Sequence, residues 1–252
     1  IDRGITHVVR GADHVSNTAT QVQMFAALGT APPVFAHEAL LVGTEGKLSK
    51  RLGALGMDHF REAGIEPIAL VALLARLGTS DPVEPVTEAA PLIASIDFAR
   101  FGRAPARFDE EELALLNAKI IHQLPHAAVA DRLPPGMSAA AWVAIRPNLT
   151  TVAEAGDWAA VLAEGFTPPA AATEDGELLR AAAELVPTLD WAADPWHALT
   201  GQLKEATGRK GRALFMPLRL ALTGRDHGPD MAALLPLIEQ HEAERRLRAT
   251  TN

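Results

Sequence analysis

Cysteine and tyrosine are both absent from the 252 residues. Without thiols there can be no disulfide and no thiolate metal site, a composition suited to a reducing compartment. No stretch approaches the roughly 18 uninterrupted apolar residues of a membrane-spanning helix, so a membrane is not an expected partner. Basic residues are in deficit: 23 Lys and Arg stand against 31 Asp and Glu, a net charge of −8. That balance argues against a protein coated in nucleic-acid-binding charge, though one local basic face remains compatible with it. There is no initiator Met and no signal-peptide pattern. Ile1-Asp2-Arg3-Gly4 leads almost at once into a strand-like run and reads as the interior of something longer.

Hydrophobic residues make up 48% of the chain, enough for a sizeable core. The most suggestive polar stretch is Gly46-Lys47-Leu48-Ser49-Lys50-Arg51, where Lys47, Lys50 and Arg51 direct several donors to one place. Such a loop suits a triphosphate, whose charge moves towards the leaving pyrophosphate during transfer. Alone it is also what a solvated basic loop looks like.

The flanking patterns give the loop a setting. Thr6 to Arg10 is β-branched and mostly apolar, as a short strand should be. Asn17 or Thr18 is expected to cap a helix running to Leu28, stopped by Gly29. Val34 to Val42 reads as a buried strand or extended segment. Strand, helix and strand in that order predict one parallel α/β unit. Past the loop the periodicity turns helical: Met57 to Ala63, then a helix opened by Pro67, then Thr87 to Ile96. Phe98 to Pro105 is the candidate linker. Asp109 with Glu112 makes a capping-box-like start for the next helix. Further helices are expected over 139–145, 151–163, 177–185, 195–206, 212–223 and 229–244, with no convincing strand after residue 109. The fold class predicted is an α/β remnant followed by an all-α region.

Taken in series, Gly4 to His14, Ser16-Asn17-Thr18 with Gln21, His37 to Leu41, Lys47 to Arg51 and Gly208 to Gly224 resemble the class I glutamyl-tRNA synthetases. The order and spacing match over nearly the whole chain. The resemblance implies a partial Rossmann-like catalytic unit over 1–43, a stem-contact region with a KMSKS-like loop over 44–105, and a helical anticodon-binding bundle over 106–252. It implies glutamate, tRNA and ATP with Mg2+ as substrates and counter-ion, a cytoplasmic location and a monomer. By the same resemblance Arg10 matches the residue that pairs with the carboxylate of glutamate, a task suited to a bidentate, permanently charged guanidinium. Asp13 and His14 match positions at the nucleotide, and Leu40 and Leu41 backbone positions that read the adenine edge. Lys50 would stabilise the triphosphate, with Lys47 and Ser49 assisting. Arg209, Lys210, Arg212 and Arg219 form the basic cluster expected to contact tRNA.

Two departures qualify the match. Ala12 stands where the family has an acidic residue, and Arg3 where methionine is common. The family's HIGH motif is not in this sequence, so the chain is expected to be unable to activate glutamate by itself. The alternative expectation is a non-catalytic tRNA- or RNA-binding module. His7 and His14 flank a strand-to-turn junction without a third ligand at useful spacing, so no metal is expected. Trp142, Trp158, Trp191 and Trp196 read as helix-packing residues.

Overall fold

The computed structural model describes residues 1–43, 46–47, 56–169 and 173–249. Its internal contacts divide the chain into two units, Ile1–Ile120 and Ile121–Asn252.

The first unit opens with strand β1 (His7–Gly11), a 3-10 turn over Ala12–His14, helix α1 (Val15–Ala27) and strand β2 (Val34–Glu38). β1 and β2 pair in parallel, with Arg10 opposite His37 and Gly11 opposite Glu38. Parallel neighbours need a crossover, and α1 supplies it. Gly29 ends that crossover with φ of +69°, a left-handed turn open to glycine at no steric cost. The helix begins earlier than its sequence suggests, with no side-chain cap. The 3-10 turn has already wound the backbone, so Thr18 lies inside the helix and donates to the His14 carbonyl.

The run from Val34 to Val42 is not one buried strand. It breaks after Glu38, and no residue of β2 is buried. A two-stranded sheet and one helix can cover each other on one face only. Val34, Leu28 and Met24 stay 61, 69 and 58% exposed. Beyond the break, β3 (Leu41–Gly43) lies between β4 (Gly46–Lys47), antiparallel to it, and the later β5 (Ala106–Arg107), parallel to it.

The core of this unit is helical. Helix α2 (Met57–Glu62) buries Phe60, and α3 (Pro67–Leu74) buries Ala69, Ala72 and Leu73. Pro67 begins α3 where a missing N–H costs nothing. Helix α4 (Ala90–Ser95) follows. Asp109 then accepts from the Glu111 and Glu112 N–H groups and starts α5 (Glu110–Ile121). From α5, buried Asn117 accepts from the Glu66 N–H at 2.8 Å and donates to the Gly64 carbonyl at 3.3 Å. One amide thus satisfies the turn between α2 and α3.

The second unit has no strand among its described residues. It contains α6 (Ala139–Ile145), α7 (Ala155–Leu162), α8 (Gly176–Leu185), α9 (Pro195–Thr207), α10 (Arg212–Thr223), α11 (Met231–Leu234) and α12 (Gln240–Ala249). The tryptophans pack as expected. Trp142 is fully buried and donates to the Leu124 carbonyl at 2.9 Å; Trp191 donates to that of Ile238 at 2.9 Å. Local signals place α9: the Asp194 carboxylate accepts from the His197 N–H, Pro195 opens the helix, and Gly208 closes it with φ of +68°. The single helix expected over 229–244 is two, α11 and α12, joined by a 3-10 turn over Leu235–Leu237. Pro236 in that turn has no N–H to continue the first of them.

One buried charge ties this unit together. Arg246 of α12 is 0% exposed. Its guanidinium donates to Glu242 at 2.7 Å and to the carbonyls of Leu222 and Ala163 at 2.8 Å each. It also lies 4.9 Å from the centroid of the Phe166 ring. Glu242 accepts from Arg245 as well, and these bonds, Arg245 foremost, hold its carboxyl at a pKa of about 2. Burial pulls Arg246 below the ordinary arginine value, while the more exposed Arg245 is raised by the same carboxylate.

Removing one partner of a buried pair leaves the other charge uncompensated, so Glu242→Gln is expected to destabilise this unit by about 3 kcal/mol at neutral pH. A carboxyl whose folded pKa lies below its unfolded value stabilises above the unfolded value and loses that stabilisation as pH falls. The gap between the Glu242→Gln variant and the parent should therefore be full above the ordinary carboxyl value of 4.5 and narrow as pH falls towards about 2. Urea unfolding followed by tryptophan fluorescence checks this, because all four tryptophans lie in the second unit.

Candidate functional site

In the first unit, the residues of interest gather at the carboxyl ends of β1 and β2, where ligands of parallel α/β sheets bind. Arg10, half-buried on β1, donates from Nη2 to the Thr18 hydroxyl at 2.6 Å. That hydroxyl lies 2.8 Å from Nε2 of His37, the residue paired with Arg10 across the sheet. The guanidinium sits 5.0 Å from the centroid of the Phe35 ring. These contacts fix the side chain yet leave donors unused: Arg10 Nε is buried with no hydrogen-bond partner among the described residues. A buried donor without a partner is costly, and an incoming acceptor would relieve it.

Gly11 follows immediately. A Cβ there would fall 2.5 Å from Asp13 Oδ1 and 3.2 Å from Leu40 Cδ2. Glycine is what lets the Asp13 carboxylate fold back against the strand end beside Leu40. Asp13 and His14 are exposed, with His14 Nε2 3.8 Å from Asp13 Oδ2. Leu40 and Leu41 are 45 and 39% exposed, and the Leu40 carbonyl already accepts from the Ala106 N–H at 3.0 Å. Arg10, Asp13, His14 and Leu40 are thus brought to one end of the β1–β2 pair. Lys47 lies on β4 by its backbone. Ser49 and Lys50 fall outside the described residues.

The basic cluster of the second unit divides into two kinds. Arg209 is tied into the fold: Nη1 donates to Asp175 at 2.6 Å and to the Ala213 carbonyl at 3.4 Å, and Nη2 to the Glu174 carbonyl at 2.7 Å. The Ala213 contact has a covalent origin. Pro217 stands inside α10 and has no N–H for the carbonyl four residues before it, and Arg209 supplies a donor there. Lys210 and Arg212 are exposed between the left-handed Gly208 and Gly211 and the start of α10. Arg219 is intermediate. Nη2 donates to the Pro229 carbonyl at 2.8 Å, while Nη1 is buried with no partner among the described residues. Burial pulls its pKa down, against the nearby Asp230.

Sequence reasoning did not single out Thr18, His37 and Phe35 as the supports of Arg10, nor Arg225 beside Trp158. His37 and Thr18 do lie inside the quoted motifs; Arg225 carried no signal beyond following Gly224. Among the described residues no group of three or more His, Asp or Glu side chains could hold a metal ion, and no helix is long and apolar enough to cross a membrane.

Comparison with known proteins covers both units. Residues 1–115 match the family model of the catalytic domain of class I tRNA synthetases (E and Q). Residues 121–251, more than half the chain, match that of an anticodon binding domain. The chain is 73% identical over 247 residues to Glutamate–tRNA ligase 2 of Sphingopyxis alaskensis, covering 98% of this chain and 56% of that protein. It is 65% identical over 249 residues to Glutamate–tRNA ligase 1 of Novosphingobium aromaticivorans, covering 99% and 56%. The fold is shared with the crystal structure of a glutamate tRNA ligase from Elizabethkingia meningosepticum in complex with its amino acid, at TM-score 0.81 and 24% identity, over 99% of this chain and 57% of that one. The chain therefore spans little more than half the length of the curated relatives it matches. With a strand-end arginine in one unit and a helical bundle in the other, the chain belongs to the anticodon binding domain family, and its first 115 residues match the catalytic domain of class I tRNA synthetases (E and Q).

Proposed function

We propose that the whole protein ligates glutamate to tRNA at the expense of ATP, through glutamyl-adenylate, and that this chain supplies part of its catalytic unit and its tRNA-binding helices. The observation that carries the reading is the placement of Arg10, Asp13 and His14 at one strand end, in a chain so similar to named glutamate–tRNA ligases. Arg10 has donors to spare for the carboxylate of glutamate. Asp13, His14 and the Leu40–Leu41 backbone face the nucleotide, and Lys47, Ser49 and Lys50 neutralise the triphosphate, which arrives with Mg2+ as its counter-ion. The carboxylate attacks the α-phosphorus directly, so no covalent enzyme intermediate forms. The protein's part is to hold the reactants in line and stabilise the moving charge.

In the second unit Lys210 and Arg212 meet tRNA phosphates, and half-buried Arg219 adds its charge to the same face. Arg209 contributes by fixing the turn that carries them. Residues 1–43, 44–105 and 106–252 correspond to the nucleotide-binding part, the stem-contact region and the helical anticodon-binding region. The protein works in the cytoplasm as a monomer. A non-catalytic tRNA-binding module is the second reading, favoured by the self-contained core of the helical unit that carries Lys210 and Arg212. The two part on whether a longer protein carrying these residues exchanges pyrophosphate.

The 252-residue chain alone is expected to give no glutamate-dependent pyrophosphate exchange above background. Normal turnover would overturn the assignment of an incomplete catalytic unit. The same chain should bind tRNA. Arg219→Ala is expected to weaken binding about tenfold, and Lys210→Ala and Arg212→Ala each to lower the salt slope by about one. Unchanged affinity in Arg219→Ala at moderate salt would remove the cluster as an RNA site.

A further inference from the structure

Resting on that tRNA-binding reading, helix α10 offers the RNA something besides charge. Among the described residues of the second unit only two large apolar side chains are exposed, Val143 at 53% and Phe215 at 43%. A single exposed apolar side chain is ordinary; what sets Phe215 apart is its surroundings. Its ring packs on the indole of Trp196, with centroids 6.0 Å apart and planes tilted by 40°. Trp196, only 7% exposed, is fixed in the first turn of α9 behind Pro195. The Phe215 ring is therefore held on one side by a buried partner and open to solvent on another. With two χ angles already restrained, it has little entropy to lose on binding. Its neighbours on the helix surface are cations. Arg212 precedes it by three residues and Arg219 follows by four, spacings that set side chains next to one another on one helix face. Lys210 and Arg212 are exposed, and α10 contains no Asp or Glu from Arg212 to Thr223. Asp226, whose carboxyl feels Arg212, is already paired with His227.

We infer that Phe215 is a base-binding residue of the RNA site: an unpaired base stacks on its open ring, while a phosphate of the same stretch lies at Arg212 and Lys210. Every base has a π-face, and unpaired bases are the ones free to leave their own stack, so the ligand is single-stranded RNA rather than a duplex. An apolar peptide would satisfy the ring but not the cations around it. A chain of phosphates carrying flat bases satisfies both.

The test uses the full 252-residue chain and tRNA binding at moderate salt. Phe215→Leu keeps an apolar side chain against Trp196 and removes the aromatic face. It should weaken binding roughly tenfold, within the range of one base–aromatic stack, with far-UV circular dichroism and thermal midpoint near those of the parent. The salt slope should stay that of the parent, because no phosphate contact is lost, whereas Lys210→Ala and Arg212→Ala each lower it. Phe215→Tyr keeps the ring and should bind within about twofold of the parent. A fully paired RNA duplex, whose bases are not free to stack, should bind Phe215→Leu and the parent alike. Equal tRNA binding by Phe215→Leu and the parent overturns the inference. So does a Phe215→Tyr variant as weak as Phe215→Leu, a lower salt slope in Phe215→Leu, or an equal loss of duplex binding. In each case weakening by Lys210→Ala and Arg212→Ala leaves the tRNA-binding reading standing. A parent dimer that Phe215→Leu dissolves, with tRNA binding unchanged, gives the ring to a second copy instead. A parent chain that binds no tRNA overturns both readings. Should Phe215→Leu fail to fold, Phe215→Met, equally without a ring, takes its place with the same outcomes.

Discussion

The helical unit depends on one guanidinium without access to water. Arg246 reaches the carbonyls of Ala163, just past α7, and Leu222, in the last turn of α10. Both are helix-end acceptors with no partner inside their own helix, and both sit at the negative end of a helix dipole. A buried cation in that position satisfies two helices at once and requires an anion of its own. Glu242, one turn away on α12, provides it and is shared with Arg245. Taking charges out of water is costly, and what offsets the cost is complete satisfaction of the guanidinium: a carboxylate, two carbonyls and an aromatic face.

That arrangement fixes the neighbourhood in which the basic cluster operates. Arg246 grips α10 near its end, and Gly224 turns the chain back with a left-handed residue at which a Cβ would fall 3.2 Å from Phe166 and Pro169. The loop that carries Arg225, Gly228 and Pro229 is therefore anchored to the same elements that the buried ion pair joins. Any loop set on a stiff frame has little conformational entropy to lose on binding a partner. In the first unit a similar economy applies at smaller scale. Arg10 is held by Thr18, with His37 bonded behind it, before any ligand arrives.

Features written in one or two adjacent residues were legible from the chain. Pro67 and Pro195 at helix starts, Asp109 and Asp194 as caps, and Gly29 as a stop act through their own backbone preferences. The strand–helix–strand order and the change to all-helical character likewise follow from periodicity. What was not legible depends on partners far along the chain. Nothing local in residues 240–249 distinguishes a Glu–Arg pair facing water from one facing a core. The start of α1 was misplaced because Thr18 resembles a cap, whereas its hydroxyl is committed to Arg10 and the His14 carbonyl. The continuous strand over Val34–Val42 failed for a different reason: an apolar run does not reveal that its middle must release one sheet and join another. Ser49 and Lys50 lie outside the described residues, so their part in the site stands on the sequence motif.

The division of labour among the basic residues follows from donor count rather than charge. A lysine offers one ammonium, and a lysine drawn into the fold has little left to present elsewhere. An arginine offers five N–H groups in a fixed plane, so one edge can be structural while another remains available. Arg209 spends its donors on Asp175, the Glu174 carbonyl and the acceptor orphaned by Pro217, and is absorbed by the scaffold. Arg219 engages one edge with Pro229, while Nη1 is buried without a partner among the described residues. Lys210 and Arg212 are exposed on the turn that Arg209 stabilises. Four residues that look alike in sequence thus form a graded series from anchored to exposed. The grading is set by which carbonyls the surrounding helices leave unpaired.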